Sequence, residues 1–314
     1  MNPLQPLPLK PQTPPAARGR RARLPRLGGA GAVGATLLGL VALLAVCAPL
    51  LAPHDPLAQD LAHTNAAPGE HGYLLGTDQL GRDLLSRLLY GARTPLLVGV
   101  VAVVCGGVFG TLLGLASGFA RGWADQVLSR LADIQLALPS ILLALLVLTF
   151  GGQSTAVLVL VIALTGWPAY FRLVRSRVLS LRTMPYVEAS LTQSMPTWRV
   201  LLYDLLPGVR GLVAVTATLD LSRAVLMEAG LTYLGLGAQA PAADWGLMVA
   251  EGQGQLLGAW WVAVLPGLGL VALVIGANLL GERLAGRGPG RRPVRTVKNT
   301  ATANPASEKR STTA

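Results

Sequence analysis

The chain has 314 residues, of which 52% are hydrophobic and 13% charged, and its formal net charge is +11. A soluble domain of this size carries about a quarter charged residues, so the composition excludes an ordinary soluble protein and points to one embedded in a membrane. A charge of +11 also fits a nucleic-acid-binding protein, but the placement of the basic residues along the chain excludes that.

Residues 1–28 are rich in Pro and Arg, hold Lys10 and five arginines without an acid, and lack an apolar period; they read as a disordered basic tail. A helix needs about 20 largely apolar residues to span a bilayer, and the first of six such stretches is 29–51. Its apolar run is longer than the roughly 7–15 residues of a secretory signal. Val46 is also too large, just before Cys47, for a lipoprotein cleavage site, so the stretch is expected to remain as the first transmembrane helix.

The loop 52–94 follows. Its three histidines, His54, His63 and His71, are scattered and read as solvated loop residues rather than metal ligands. Near its end stands GTDQLGRDLLSR, where Gly76 and Gly81 allow tight turns and Asp78, Arg82, Asp83 and Arg87 can pair at short range. We read this block as a structural latch, with substrate contact as the alternative. As a surface cluster its ion pairs are each expected to contribute about 0–1 kcal/mol.

The remaining spans are expected at 95–119, 131–150, 154–174, 209–228 and 260–281. Cys105, like Cys47, sits inside an apolar run without ligand spacing. Pro168, after Trp167, is expected to bend the fourth span, and Trp260 and Trp261 to anchor the sixth at the interface. Arg172, Arg175 and Arg177 read as topology signals.

Between the fourth and fifth spans lies EASLTQSMPTWRVLLYDLLP (188–207). Pro196 lacks an N–H and pushes Met195 out of helical geometry, which predicts two short helices over 186–194 and 196–205. Leu191, Met195, Trp198, Leu201 and Leu202 supply apolar contacts, and Glu188, Gln193 and Arg199 polar ones. Two readings stay open on physical grounds: a segment that docks into a groove on a soluble partner, and an amphipathic helix resting in the lipid interface.

In the fifth span Asp220 and Arg223 lie three apart, on one helical face, about 18–22 Å from its arginine-flanked end. Charges at such depth cost several kcal/mol unless paired or wetted. They either line a translocation path or form a buried structural salt bridge.

Sidedness follows from Lys and Arg. Residues 1–28, the connection after the second span, 172–210 and the segment from 282 together hold 22 of the 26 basic residues, so both termini are expected in the cytoplasm. The polar segment 282–314 reads as a second disordered tail. The chain has three lysines and no phosphate-binding glycine loop, no catalytic constellation, no metal or cofactor motif, and no paired mid-membrane carboxylates of the kind a proton-coupled carrier uses.

YVEASLTQSMPTWRVLLYDLLPG (186–208) resembles the EAA loop of ABC importer permeases, in which Glu-Ala-Ala, three residues and Gly are followed by a gap to hydrophobic-Leu-Pro. Glu188 and Ala189 match the opening and Leu205, Leu206 and Pro207 the close; Ser190 replaces the second Ala, and Ser194 stands where the family has Gly. Pro196 is expected to provide the bend in glycine's place. LLAPHDP (50–56), LLGTDQLGRDLLSRLLYGART (74–94), VLMEAGLTYLGLG (225–237), DWGLM (244–248) and PGLGLVALVIGANLLGERL (266–284) resemble, in order, the dipeptide, oligopeptide and nickel branch of these permeases. After the last span GERLAGRGPG departs from that branch's Asp-rich, proline-ended motif.

The resemblance implies an all-α integral membrane protein of the bacterial cytoplasmic membrane, with six transmembrane helices, both termini cytoplasmic, and a type I-like permease core over 95–281. It implies a non-catalytic permease subunit of an ATP-driven importer of di- or oligopeptides. Nickel or another small solute is the alternative cargo, and a self-sufficient channel or secondary carrier the alternative class. The implied partners are a homologous sister permease, two ATPase subunits and an external solute-binding protein. Glu188, Ala189, Ser190, Ser194, Pro196, Leu206 and Pro207 are the implied ATPase-coupling residues.

Overall fold

Within lipid every backbone N–H and C=O must find its partner inside the protein, so long apolar runs become helices. The computed structural model describes residues 29–285; the tails assigned to 1–28 and beyond Ala285 lie outside the described residues. Among these the chain forms helices and no strand, with one isolated antiparallel bridge between Thr77 and Asp83. The helices are α1 (Gly29–Leu51), α2 (Leu84–Gly91), α3 (Arg93–Ala120), α4 (Trp123–Ala137), α5 (Ser140–Gly151), α6 (Thr155–Leu181), α7 (Pro185–Thr192), α8 (Thr197–Arg199), α9 (Leu206–Tyr233), α10 (Trp245–Gly252) and α11 (Trp261–Ala285).

Five passages, through α1, α3, α6, α9 and α11, are long and apolar enough to cross a membrane, and α4 with α5 makes a sixth if the pair is one span. The straight third span expected over 131–150 is instead two helices bent by 94°. The cause is Pro139, which has no N–H and holds Leu138 in an extended conformation (φ −88°, ψ 136°). Pro168 behaves differently: α6 runs through it unbroken to Leu181. The last helix reaches Ala285, so the first residues assigned to the polar tail belong to it.

Helix α3 packs along α6 through a stripe of glycines four apart, Gly106, Gly110, Gly114 and Gly118. Small residues at this spacing let two backbones approach closely, which is how helices associate where burial from water supplies no drive. A Cβ on Gly114 would lie 2.8 Å from the Phe171 carbonyl oxygen, and one on Gly106 2.7 Å from that of Ala163. Gly114→Val should therefore cost about 1–3 kcal/mol by overpacking and lower the thermal midpoint of the purified protein. An unchanged midpoint would show that the two helices separate freely.

One core, around Leu84, Val225, Trp245, Met248, Trp261 and Leu273, fills the end of the bundle that carries residues 52–83 (the loop end). Another, around Leu115, Val174, Val178, Val187, Val200 and Leu205, fills the opposite, arginine-rich end. Large apolar side chains such as Leu43, Val46, Leu50, Phe109 and Phe150 stay exposed, as they do on a surface that faces lipid or another subunit.

Candidate functional site

At the arginine-rich end α6 leads through a short turn into α7. Pro185 begins α7, where its missing N–H costs nothing. The helix ends at Thr192 in a defined cap: Ser194 N–H donates to Leu191 O at 3.0 Å and Met195 N–H to Ser190 O at 3.2 Å. This is the Schellman arrangement, whose left-handed position glycine usually fills. Ser194 occupies it with φ 56°, at a cost of roughly 1–2 kcal/mol. The expectation that Pro196 takes over the glycine's bend is thus corrected. Ser194 makes the turn itself, and Pro196 forms the N-terminal boundary of α8.

Val200–Leu205 then forms a π-helical turn that closes with Leu206 N–H donating to Leu201 O. Its wider winding suits a segment just before Pro207, which has no N–H to offer a tighter turn. The whole of Thr197–Tyr233 is one passage of 37 residues. Val187, Val200 and Leu205 are fully buried and pin the segment onto the ends of α3 and α6. Above them Glu188, Ala189, Ser194 and Pro196 are exposed, Ser190 and Leu206 are half-buried, and Pro207 is exposed. Leu191, Met195, Trp198 and Leu202 also face outward, whereas Leu201 packs toward the core.

The arginines before this segment do more than mark topology. Arg175 clasps Asp125 of α4 through Nε (2.5 Å) and Nη2 (2.7 Å), and Arg172 pairs with Asp133 of the same helix. Ser117 of α3 also donates to Asp125.

The block at the loop end is buried, not a surface cluster. Arg82 and Arg87 are both fully buried. Asp78 accepts from Arg82 Nε and Arg87 Nη1, each at 2.6 Å. Glu251 of α10 accepts from Arg82 Nη2 at 3.0 Å and Arg87 Nη2 at 2.9 Å. Burial pushes the Glu251 carboxyl above its ordinary range, while the neighbouring Arg82 pulls it down. Asp83 pairs with neither arginine; it caps α2, accepting from Ser86 N–H at 3.0 Å. Gly76 (φ 80°) and Gly81 (φ 72°) both hold left-handed turns, and a Cβ on Gly76 would meet Trp261 Nε1 at 3.0 Å. That tryptophan is buried and donates to Thr77 O at 3.2 Å, so of the two expected anchors only Trp260 is exposed.

The His63 and His71 rings lie against each other at a 45° tilt with centroids 4.4 Å apart, and the His63 Nδ1 lies 2.7 Å from Asp60 Oδ2. That contact holds the Asp60 carboxyl below its usual range. Among the described residues no three His, Cys, Asp or Glu side chains gather to hold a metal.

Midway along α9, Arg223 Nε donates to Asp220 Oδ1 at 2.6 Å, and Tyr170 OH of α6 donates to Asp220 Oδ2 at 3.2 Å. The pair adjoins Thr165 and Gly166 of α6. Sequence reasoning missed four participants: Glu251, Tyr170, Asp125 and Asp133. Glu251 left one trace, as an acid in a stretch (229–259) without any Lys or Arg.

Comparison with known proteins gives this arrangement its relatives. Residues 110–287 match the family described as binding-protein-dependent transport system inner membrane component, and residues 30–68 match the N-terminal TM domain of oligopeptide transport permease C. The di/tripeptide transport system permease protein DppC of Pseudomonas aeruginosa (strain UCBPP-PA14) is 42% identical over 242 residues, covering 76% of this chain and 80% of that protein. The probable D,D-dipeptide transport system permease protein DdpC of Escherichia coli (strain K12) is 38% identical over 237 residues, covering 76% and 79%. The oligopeptide transport system permease protein OppC of Bacillus subtilis (strain 168) is 34% identical over 239 residues, covering 76% and 78%. Because the family match runs from within α3 past the end of α11, the chain belongs to the binding-protein-dependent transport system inner membrane components, the multi-pass, non-catalytic permease subunits of bacterial ABC transporters.

Proposed function

We propose that this chain forms half of the translocation pathway of an ATP-driven importer of di- or oligopeptides. A homologous but distinct permease supplies the other half. Relatives named for dipeptides, D,D-dipeptides and oligopeptides support the cargo class. As its family implies, the chain works with ATPase subunits and a substrate-binding protein in the membrane.

The observation that carries the coupling role is the surface of residues 188–199. Apart from the half-buried Ser190 it is exposed, yet it is held from beneath by Val187 and Val200. Its outward face mixes Glu188 and Arg199 with Leu191, Met195 and Trp198, the composition that suits docking into a groove on a partner. Glu188, Ala189, Ser190, Ser194, Pro196, Leu206 and Pro207 then form the seat for an ATPase subunit, on the cytoplasmic side together with both termini. Nucleotide closes the ATPases, and the segment biases the spans between outward- and inward-facing arrangements; the ligand acts by preferring one state. Asp220 and Arg223 line the path. The buried block of Gly76, Asp78, Gly81, Arg82 and Asp83 holds the outer end together and takes no part in cargo contact.

The test is to purify the chain from gently solubilised native membranes and reconstitute what accompanies it. ATPase subunits, a second permease and ATP-dependent uptake are expected. Uptake by this chain alone, without ATP, would overturn the reading.

A further inference from the structure

The elbow between α4 and α5 leaves a cavity of about 330 Å3. Four helices contribute polar groups to its wall: Gln135 from α4, Ser140 from α5, Thr165 from α6 and Arg223 from α9. Arg223 lies ten residues from the end of α9 at Tyr233, about 15 Å along the helix. Polar lining at such depth is costly and is kept where it contacts what passes.

The guanidinium is held from behind. Its Nε is fixed on Asp220, which Tyr170 braces from α6. Its Nη edge meets weaker partners: Thr165 Oγ1 at 3.2 Å, the Met227 sulfur at 3.7 Å and Ile162 O at 3.4 Å. The Arg223 side chain remains 36% exposed. Room for it depends on Gly166, where a Cβ would lie 2.8 Å from Nη2. Asp220 balances the charge of the guanidinium.

A planar guanidinium edge matches a carboxylate by two parallel hydrogen bonds. Among peptides of any sequence the α-carboxylate is the constant anionic group. We propose that Arg223 receives the α-carboxylate of the peptide cargo within the membrane, making this subunit a second filter for free C-termini after the binding protein. The proposal rests on the peptide-importer reading above.

The test uses the full reconstituted complex with its binding protein, driven by ATP. Uptake of dialanine is compared with that of dialanine amide, each at a concentration that saturates the binding protein. Wild type should favour the free acid, and Arg223→Gln should lower the acid-to-amide ratio at least tenfold. The Asp220→Asn/Arg223→Gln double variant, which leaves no unpaired charge behind, should show the same loss and decides the matter if the single variant fails to assemble. The binding protein is the same throughout, so a change in ratio belongs to this chain. An unchanged ratio in a complex that still moves dialanine would overturn the carboxylate role and leave the importer reading standing. A wild-type complex that moves neither compound would overturn both.

Discussion

Replacing Glu251 by alanine should destabilise the purified protein by about 3–5 kcal/mol, the usual cost of removing one partner from a buried ion pair. Two fully buried guanidinium groups, Arg82 and Arg87, converge on Glu251 and Asp78. Without Glu251 they face each other with one carboxylate between them, in surroundings that offer little water. The loss falls on the contact between the 52–83 loop and α10, because Arg82 and Glu251 are 169 residues apart and no chain continuity holds them. A drop in the thermal midpoint, with faster protease cleavage within 52–83, is the expected result. A midpoint within error of wild type would show that the cluster contributes no net stability.

Glu188→Arg should act in the opposite manner, abolishing function while leaving the fold intact. Its carboxylate is exposed and sits in the first turn of α7, where an acid is favoured by the helix dipole. Reversing the charge leaves the buried anchors Val187, Val200 and Leu205 in place. Recovery of ATPase subunits with the purified chain should fall at least tenfold, and ATP-driven uptake with it, while the thermal midpoint drops only slightly, by the roughly 0.3–1 kcal/mol that the helix dipole contributes. Normal copurification would remove Glu188 from the docking surface.

Much of the bundle was legible in the sequence, because an apolar run of sufficient length has one stable outcome in lipid. The helices α1, α3, α6, α9 and α11 appear where the runs lie, with ends shifted by several residues. The elbow in the third span escaped because hydropathy is continuous across it. Pro139 was visible, but Pro168 is equally so and leaves α6 unbroken. What separates them is the neighbourhood: α6 is packed along its length by α3, whereas α4 and α5 expose most of their residues.

The candidate site divides in the same way. In the 188–207 segment the first expected short helix is present as α7 and ends before Pro196, but the second, expected over 196–205, is instead the start of the long passage Thr197–Tyr233, because Pro196 breaks the chain only on its N-terminal side. Ser194 in a left-handed turn was not legible, because serine gives no warning of positive φ. Asp220 and Arg223 were found by their spacing within one helix. Their third partner, Tyr170, lies fifty residues away and only packing brings it close. Residues around Asp78 and Arg82 were marked as able to pair, yet their burial depends on α10 and α11, which no local pattern announces.

The unbroken passage from Thr197 to Tyr233 has a mechanical corollary. Trp198 on the exposed segment and Arg223 beside the cavity are 25 residues apart on one stiff rod, roughly 37 Å of helix. From Leu206 to Arg223 that rod is uninterrupted α-helix, so the exposed segment and the cavity wall are linked through a single element. The single compliant element is the π-helical turn at Val200–Leu205, placed at the input like a coupling on a drive shaft. On the proposed coupling role, a push at that surface would turn α9 and carry Arg223 with it against the elbow between α4 and α5.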